Sequence, residues 1–497
     1  RHDRSGTGIR LMKDWSGRNV LIIGAARQGI AASAYLVRHG AHVVLTDLRS
    51  AQDLRSEIRS LEDTPGAAEQ VRYEFGGHPV SLLSGVDLIC VSGGVPPTIP
   101  LIEEARARLI PLTNDSQLFL EFAACRVIGI TGSSGKSTTT MLVGEIARFA
   151  MELNSSPNGK QGPDVWVGGN IGTPLISILD QIKQNDLAVM ELSSFQLELM
   201  TRSPQIAAVL NITPNHLDRH GSMENYTQIK GRILQYQEGT DAAVLGRDDP
   251  TAWKMAQNVH SNIWSFGFHK QDLLQRGTYL AAEGIFLRAG AESQDLHVVH
   301  PGDIKLRGEH NLLNTLAACA IAAAAGLPVK AMREGIRSFE GIPHRLEFVR
   351  NWGGADWYND SIATAPERAM AAIRSFDDPI ILLAGGRNKD LPWDDFAKLA
   401  NERVKHLIVF GEAAEVIIHA INDYQQIPAR EIAAGNKAFH QLPITKLDRM
   451  EDAVLAAAKI VQPGDVVLLS PGGTSFDQFK DFEERGECFA QLVKDLT

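Results

Sequence analysis

The sequence predicts an α/β protein of several domains built on mostly parallel sheets. Three observations predict it. Short apolar runs that end in glycines recur along the chain, helical patterns separate them, and 497 residues exceed what one core organises. At roughly 100 to 200 residues per domain, two to four domains are expected. In such sheets ligands gather at the carboxyl ends of the strands.

The elements divide into three sections. In the first, residues 12–124, Val20 to Gly24 reads as a strand, Ile30 to Arg38 as a helix, and Val43 to Leu45 as a second strand closing at Asp47. A strand over Val86 to Val91, the loop Ser92-Gly93-Gly94-Val95-Pro96-Pro97 and a helix near Leu101 to Arg108 follow. The second, residues 125–340, opens with strand Arg126 to Ile130, the glycine-rich segment Thr131 to Thr138 and a helix over Thr139 to Phe149. Asn154 to Gly159 is a surface loop by composition; strands at Leu187 to Met190 and Ala207 to Leu210 and an Ala-rich helix opening near Asn311 complete it. The third, residues 341–497, alternates strand Ala355 to Tyr358, helix Pro366 to Phe376, strands Ile380 to Leu383 and Leu407 to Phe410, helix Met450 to Ile460 and strand Val466 to Leu469. Residues 1–11 are patternless, and Met12-Lys13-Asp14 resembles a natural start, so an artificial extension is expected before it.

Composition narrows the function classes. With 22% charged and 44% hydrophobic residues and ordinary Gly and Pro content, a collagen-like, disordered or coiled-coil chain is excluded. Lys+Arg 49 against Asp+Glu 59 gives a formal charge of −10, which disfavours nucleic-acid binding. Anionic substrates must then be drawn by local Lys, Arg, backbone N–H groups or a metal. The longest uncharged apolar stretch, Leu316 to Val329, falls short of the roughly 18 residues that span a bilayer, so no membrane insertion is expected. Cys90, Cys125, Cys319 and Cys488 form no CxxC pair, which points to a reducing compartment, the cytoplasm.

The segment Gly129 to Ser137 carries the most chemistry. Glycines after a buried strand let backbone N–H groups of Gly132, Ser133, Ser134 and Gly135 face phosphate oxygens, and the next helix adds its positive end. Lys136 neutralises phosphate charge, Ser137 can ligate Mg²⁺, and Thr138 closes the segment before the helix. Ile130 stands where the strict pattern has glycine, so the loop is a variant. Glu191, just past an apolar strand, reads as a metal-facing carboxylate or, on its own, as a helix-start acid. His216 and His220 have zinc-like spacing, but no HExxH glutamate accompanies them; His216 alone near a magnesium-linked group fits better. Lys230, from spacing alone, reads as a solvated lysine. Asn359-Asp360-Ser361, Gly385 to Lys389 and Ser470 to Ser475 each follow a strand and together point to a binding face, although each alone is also an ordinary turn. Gly24-Ala25-Ala26-Arg27-Gln28-Gly29 is a degraded GxGxxG; Ala26 weakens a nicotinamide site, and Asp47 sits where a ribose-binding acid would.

The blocks Thr131 to Thr138, Gly168 to Gly172, Glu191 to Leu197, Asn215 to Arg219, Gly308 to Asn311, Pro343 to Arg345 and Asn359 to Ser361 resemble, in order and spacing, those of the Mur ligase family. Leu469 to Pro471 with Ser475 to Gly486 resembles its D-glutamate-adding branch. The resemblance covers nearly the whole chain from Met12. It implies three domains: a Rossmann-like N-terminal domain, a central P-loop ATPase-type α/β domain and a Rossmann-like C-terminal domain. It implies ATP-dependent addition of D-glutamate to UDP-N-acetylmuramoyl-L-alanine through an acyl phosphate, in peptidoglycan precursor synthesis; a monomer is expected. It places ATP between the second and third domains, on Lys136, with Asn311, Arg345 and Asp360 around the nucleotide. One Mg²⁺ is expected on Ser137 and Glu191, and a second on His216 and on Lys230 carbamylated by CO₂. Gly24, Asp47, Arg49 and Ser92 are the implied uridine diphosphate contacts, Asn170 the muramoyl contact, and Thr364, Lys389, Ser475 and Phe482 the glutamate contacts. Domain closure near Glu340-Gly341 is implied as well. The sequence departs from the family at Ile362, where many relatives carry Lys, around Ser92-Gly93-Gly94, and across Asn154 to Pro163. The alternatives are a sibling Mur or folylpolyglutamate-type ligase, a nucleotide-dependent switch, and a nicotinamide dehydrogenase.

Overall fold

The computed structural model describes residues 14–153, 162–214, 217–270, 276–290, 293–306, 308–389, 391–426 and 442–497. They form two compact units, which divide between Phe339 and Glu340.

The first unit holds two sheets. Strands β1 (Asn19–Ile23), β2 (His42–Asp47), β3 (Val71–Phe75), β4 (Leu88–Val91) and β5 (Leu112–Thr113) pair in parallel in the order β3-β2-β1-β4-β5. The order reverses between β1 and β4, which opens a crevice at their carboxyl ends, where Gly24 and Ser92 lie. The helix after β1 spans Arg27–Arg38, starting three residues before the expected Ile30.

The second sheet has nine strands: β6 (Arg126–Thr131), β7 (Val165–Gly169), β8 (Leu187–Glu191), β9 (Ile206–Val209), β10 (Ala242–Gly246), β11 (Asn262–Phe266), β12 (Gly277–Ala281), β13 (Gly284–Arg288) and β14 (Leu296–Val299). Their order is β14-β13-β12-β11-β10-β9-β6-β8-β7. From β7 to β12 every pairing is parallel; β12, β13 and β14 pair antiparallel. Alternation of strands and helices does not anticipate this edge. Only Ala282 and Glu283 separate β12 from β13, and two residues close an antiparallel hairpin but cannot carry a parallel crossover. β6 lies between β8 and β9, and its buried Val127, Ile128 and Ile130 explain the continuous apolar run.

The second unit is one six-stranded sheet: β15 (Glu347–Trp352), β16 (Ala355–Asn359), β17 (Ile380–Gly385), β18 (Val404–Phe410), β19 (Ile444–Lys446) and β20 (Val466–Gly472), in the order β15-β16-β20-β17-β18-β19. All pairs are parallel except β15 with β16. That hairpin turns on Gly353 and Gly354, whose φ values of 65° and 78° suit the two left-handed positions of a tight turn.

In the first unit, helices Lys136–Leu153 and Val329–Ser338 pack together over Gly335. A Cβ there would lie 2.8 Å from the Cα of Ile146, backbone against backbone. Gly335→Ala is therefore expected to destabilise the first unit by about 1–3 kcal/mol, the usual cost of overpacking. Thermal denaturation checks this through a lowered midpoint.

Candidate active site

The turn after β6 is the centre of the first unit's site. The helix that follows begins at Lys136, three residues earlier than expected, so Lys136, Ser137 and Thr138 form its first turn and leave their N–H groups without intrahelical partners. Gly135 has φ 79°, and a Cβ on it would collide with Asn314 Oδ1. This closeness brings in the helix Glu309–Ala324, whose Asn314 Nδ2 donates to Asn311 Oδ1 at 3.1 Å. The turn is also held from the end of β9. Ser133 N donates to Asn211 O at 2.9 Å, Ser134 N to Asn211 Oδ1 at 2.9 Å, and Ser133 Oγ to Thr213 O at 2.9 Å. Lys136 Nζ donates to the carbonyls of Gly132 (2.9 Å) and Ser133 (3.1 Å), folding its ammonium over the loop.

Lys230 overturns the solvated reading. It lies on helix Met223–Gln235, which Ser222 caps, and is 1% exposed. Its Nζ donates to Gly132 O at 2.9 Å and to Thr131 Oγ1 at 3.3 Å, and sits 4.9 Å from the Tyr226 ring centroid. The signal was present in the sequence: Lys230 falls four residues after Tyr226 and three before Ile233, on the buried stripe of the helix. Burial first, and the Lys136 charge second, push its pKa well below the ordinary lysine value; Glu191 acts in the opposite direction.

Glu191 ends β8, 1% exposed. Its Oε1 accepts from Asn170 Nδ2 at 2.8 Å, while Oε2 is buried and has no partner among the described residues. An orphaned carboxylate oxygen beside a phosphate turn suits a hard divalent cation, and Ser137, in the first turn of the adjoining helix, adds an oxygen of the right type. Magnesium therefore fits the residues present. His216 lies outside the described residues. His220 does not face outward: its Nε2 is 3.0 Å from Ser194 Oγ, and its ring packs 5.4 Å from Phe195 and 5.2 Å from Tyr226, centroid to centroid.

In the five-stranded sheet, Gly24 has φ 97°, and its carbonyl accepts from Ser92 Oγ at 3.0 Å. Asp47 is engaged from three sides, by Ala25 N (2.8 Å), Arg49 N (2.9 Å) and the Arg49 guanidinium (3.0 and 3.1 Å). Burial opposes its ionisation, but these bonds and the Arg49 charge outweigh it and hold the carboxyl down at about 2. Sequence reasoning missed Arg219. Its guanidinium lies 3.9 Å over the Phe195 ring and donates to Gly93 O (3.1 Å) and Val95 O (2.7 Å), tying the Ser92 loop to the second sheet. Only contact across two sheets reveals that role.

In the second unit, Arg387 and Thr474 exchange backbone bonds at 2.8 and 2.9 Å, joining the loops after β17 and β20. Ser361, in the loop after β16, donates through Oγ to Phe482 O at 2.8 Å, where the last helix, Phe482–Asp495, begins. Arg485, also missed, is fully buried and donates to Ser361 Oγ (2.9 Å), Ser361 O (2.8 Å) and Gly473 O (3.1 Å). Burial lowers its pKa to about 10. Thr364 follows the same β16 loop, its N–H on Ile362 O at 2.9 Å; Ser475 is buried after β20; Lys389 follows β17; and Arg345 is exposed. Asp360 accepts from Ser470 Oγ at 2.8 Å and Leu346 N at 3.2 Å. Burial nevertheless raises its pKa to about 7, against the effect of those bonds and of Arg345 and Arg368.

The Asp360 shift has a definite sign. A folded-state value above the ordinary 3.8 means its contribution is complete below that pH and is lost as pH rises through about 7. Wild type is therefore expected to lose stability relative to Asp360→Asn between about pH 4 and pH 8. Thermal midpoints at several pH values check this, and a constant difference contradicts it.

Comparison with known proteins agrees with this architecture. The Mur ligase MurD-like N-terminal domain matches residues 18–114, the Mur ligase middle domain 130–322, and the Mur ligase glutamate ligase domain 344–473. A relative from Pelotomaculum thermopropionicum, named UDP-N-acetylmuramoylalanine--D-glutamate ligase, is 38% identical over 98% of this chain and 99% of its own. One of the same name from Acidobacterium capsulatum is 38% identical over 96% of each. Among solved structures, a UDP-N-acetylmuramate-alanine ligase from Thermotoga maritima shares the fold with a TM-score of 0.52 at 17% identity, over 96% of this chain and 99% of that one. The chain belongs to the Mur ligase family.

Proposed function

We propose that this chain is an ATP-dependent amide ligase that adds D-glutamate to UDP-N-acetylmuramoyl-L-alanine in peptidoglycan precursor synthesis, acting as a cytoplasmic monomer. The observation that carries the reading is the convergence of Lys136, Lys230 and the orphaned Glu191 oxygen around one phosphate turn, in a chain whose close relatives bear that ligase name.

A carboxylate is a poor acylating agent because its leaving group is oxide. Phosphorylation replaces that group: the alanyl carboxylate oxygen attacks the γ-phosphorus, the bond to ADP breaks, and an acyl phosphate forms. The D-glutamate amine then adds to the carbonyl, the tetrahedral intermediate expels phosphate, and the nitrogen loses a proton. Lys136 and the amides of Gly132 to Thr138 stabilise charge on the transferred group. Ser137 and Glu191 would hold one magnesium; His216 and Lys230 would hold a second. Magnesium, when bound, supplies further positive charge at the phosphates. Lys230 suits carbamylation because its amine is held towards the neutral form: nitrogen adds to CO₂, a proton leaves, and an anionic oxygen donor results. Asn311, Arg345 and Asp360 contact the nucleotide; Gly24, Asp47, Arg49 and Ser92 the uridine diphosphate; Asn170 the muramoyl group; and Thr364, Lys389, Ser475 and Phe482 the amino acid. Amine and carbonyl must come within roughly 3 to 3.5 Å, which motion near Glu340-Gly341 would serve.

Phosphate release measured across D- and L-amino acids, with ATP and the uridine-linked substrate present, tests the reading. D-glutamate is expected to give the fastest release, and omitting it while adding hydroxylamine should yield a hydroxamate. Preference for another amino acid identifies a sibling ligase, and release indifferent to any amino acid contradicts ligation.

A further inference from the structure

Arg368 is the third residue of helix Pro366–Ile373, just after the turn that carries Thr364. Its side chain folds back along the chain. Nη1 donates to Ile362 O at 3.4 Å, the same carbonyl that accepts from Thr364 N at 2.9 Å. The guanidinium is thereby set beside Thr364, at the carboxyl end of β16. Position 362 itself is apolar, so the segment Asn359-Asp360-Ser361-Ile362 carries no cation of its own, and Arg368 returns one to it from the helix.

Lys389, after β17, adds a second positive group within electrostatic reach of the first. Neither forms a salt bridge among the described residues, although Arg368 acts on the buried Asp360 at longer range. Arg387, on the same loop as Lys389, is by contrast paired with Glu412. The nearby acid, Asp360, is buried and committed to Ser470 and Leu346. Two cations close to each other at one strand-end face, neither in a salt bridge among the described residues, suit a ligand that brings carboxylates of its own, and a planar guanidinium suits a carboxylate best.

We infer that Arg368 is a specificity-determining residue that, with Lys389, binds the carboxylates of the incoming amino acid and so favours a dicarboxylic one. The inference rests on the D-glutamate reading above and deepens it. The experiment uses the full chain, with phosphate release as readout and each substrate varied in turn. In Arg368→Gln the KM for D-glutamate is expected to rise about tenfold, the loss of one charge-assisted hydrogen bond, with kcat within about threefold. The KM values for ATP and the uridine-linked substrate should stay as in wild type, the preference for D-glutamate over D-glutamine should shrink, and Arg368→Lys should recover part of both. Arg374→Gln, just past the far end of the same helix, serves as the control with unchanged constants. An unchanged KM for D-glutamate in Arg368→Gln, or an equal rise for all three substrates, overturns the inference while leaving the ligase reading intact. A wild-type enzyme that ignores D-glutamate overturns both.

Discussion

The amine of Lys230 ends against the carbonyl of Gly132, in a place where water cannot follow. The chemistry of the first unit depends on that constraint. The same carbonyl also accepts from Lys136, so two lysines meet at one oxygen. Two ammonium groups that close repel, and the buried one has no solvent to offset its charge. The two lysines differ in setting: Lys136 is partly exposed over the turn, whereas burial holds the Lys230 amine towards its neutral form. Glu191 completes the set with a buried oxygen that has no partner among the described residues. Features that look costly for stability are the ones that suit ligand binding.

The second unit solves a similar problem with a guanidinium. Arg485 is buried among neutral acceptors, which is expensive for a cation but fixes three pieces of chain at once: the Ser361 loop, Gly473 and, through Ser361 Oγ, the start of the last helix. The loops after β16, β17 and β20 are thus held as one surface before any ligand arrives. Rigid support of this kind lowers the entropic cost of gripping a small, flexible amino acid.

Legibility in the sequence followed physical range. Buried parallel strands announce themselves as continuous apolar runs, and the turn Gly132 to Lys136 marks its place between strand and helix by its own glycines, so both positions were readable. The hairpin of β12 and β13 was not, because two intervening residues are a weak signal beside long β/α alternation. Lys230 was misread because a lysine's usual exposure outweighed the helical stripe it interrupts. Arg219, Arg368 and Arg485 act through carbonyls distant in sequence or folded back upon, and no local pattern marks them.

The claim on which this account turns is that Lys230 is a neutral, CO₂-reactive amine. Incubation of the full chain with ¹³C-bicarbonate, followed by ¹³C NMR, tests it most directly. A carbamate carbonyl resonance is predicted in wild type and should be missing in Lys230→Met. A fully active wild-type enzyme without that resonance, or the same resonance in Lys230→Met, would contradict it.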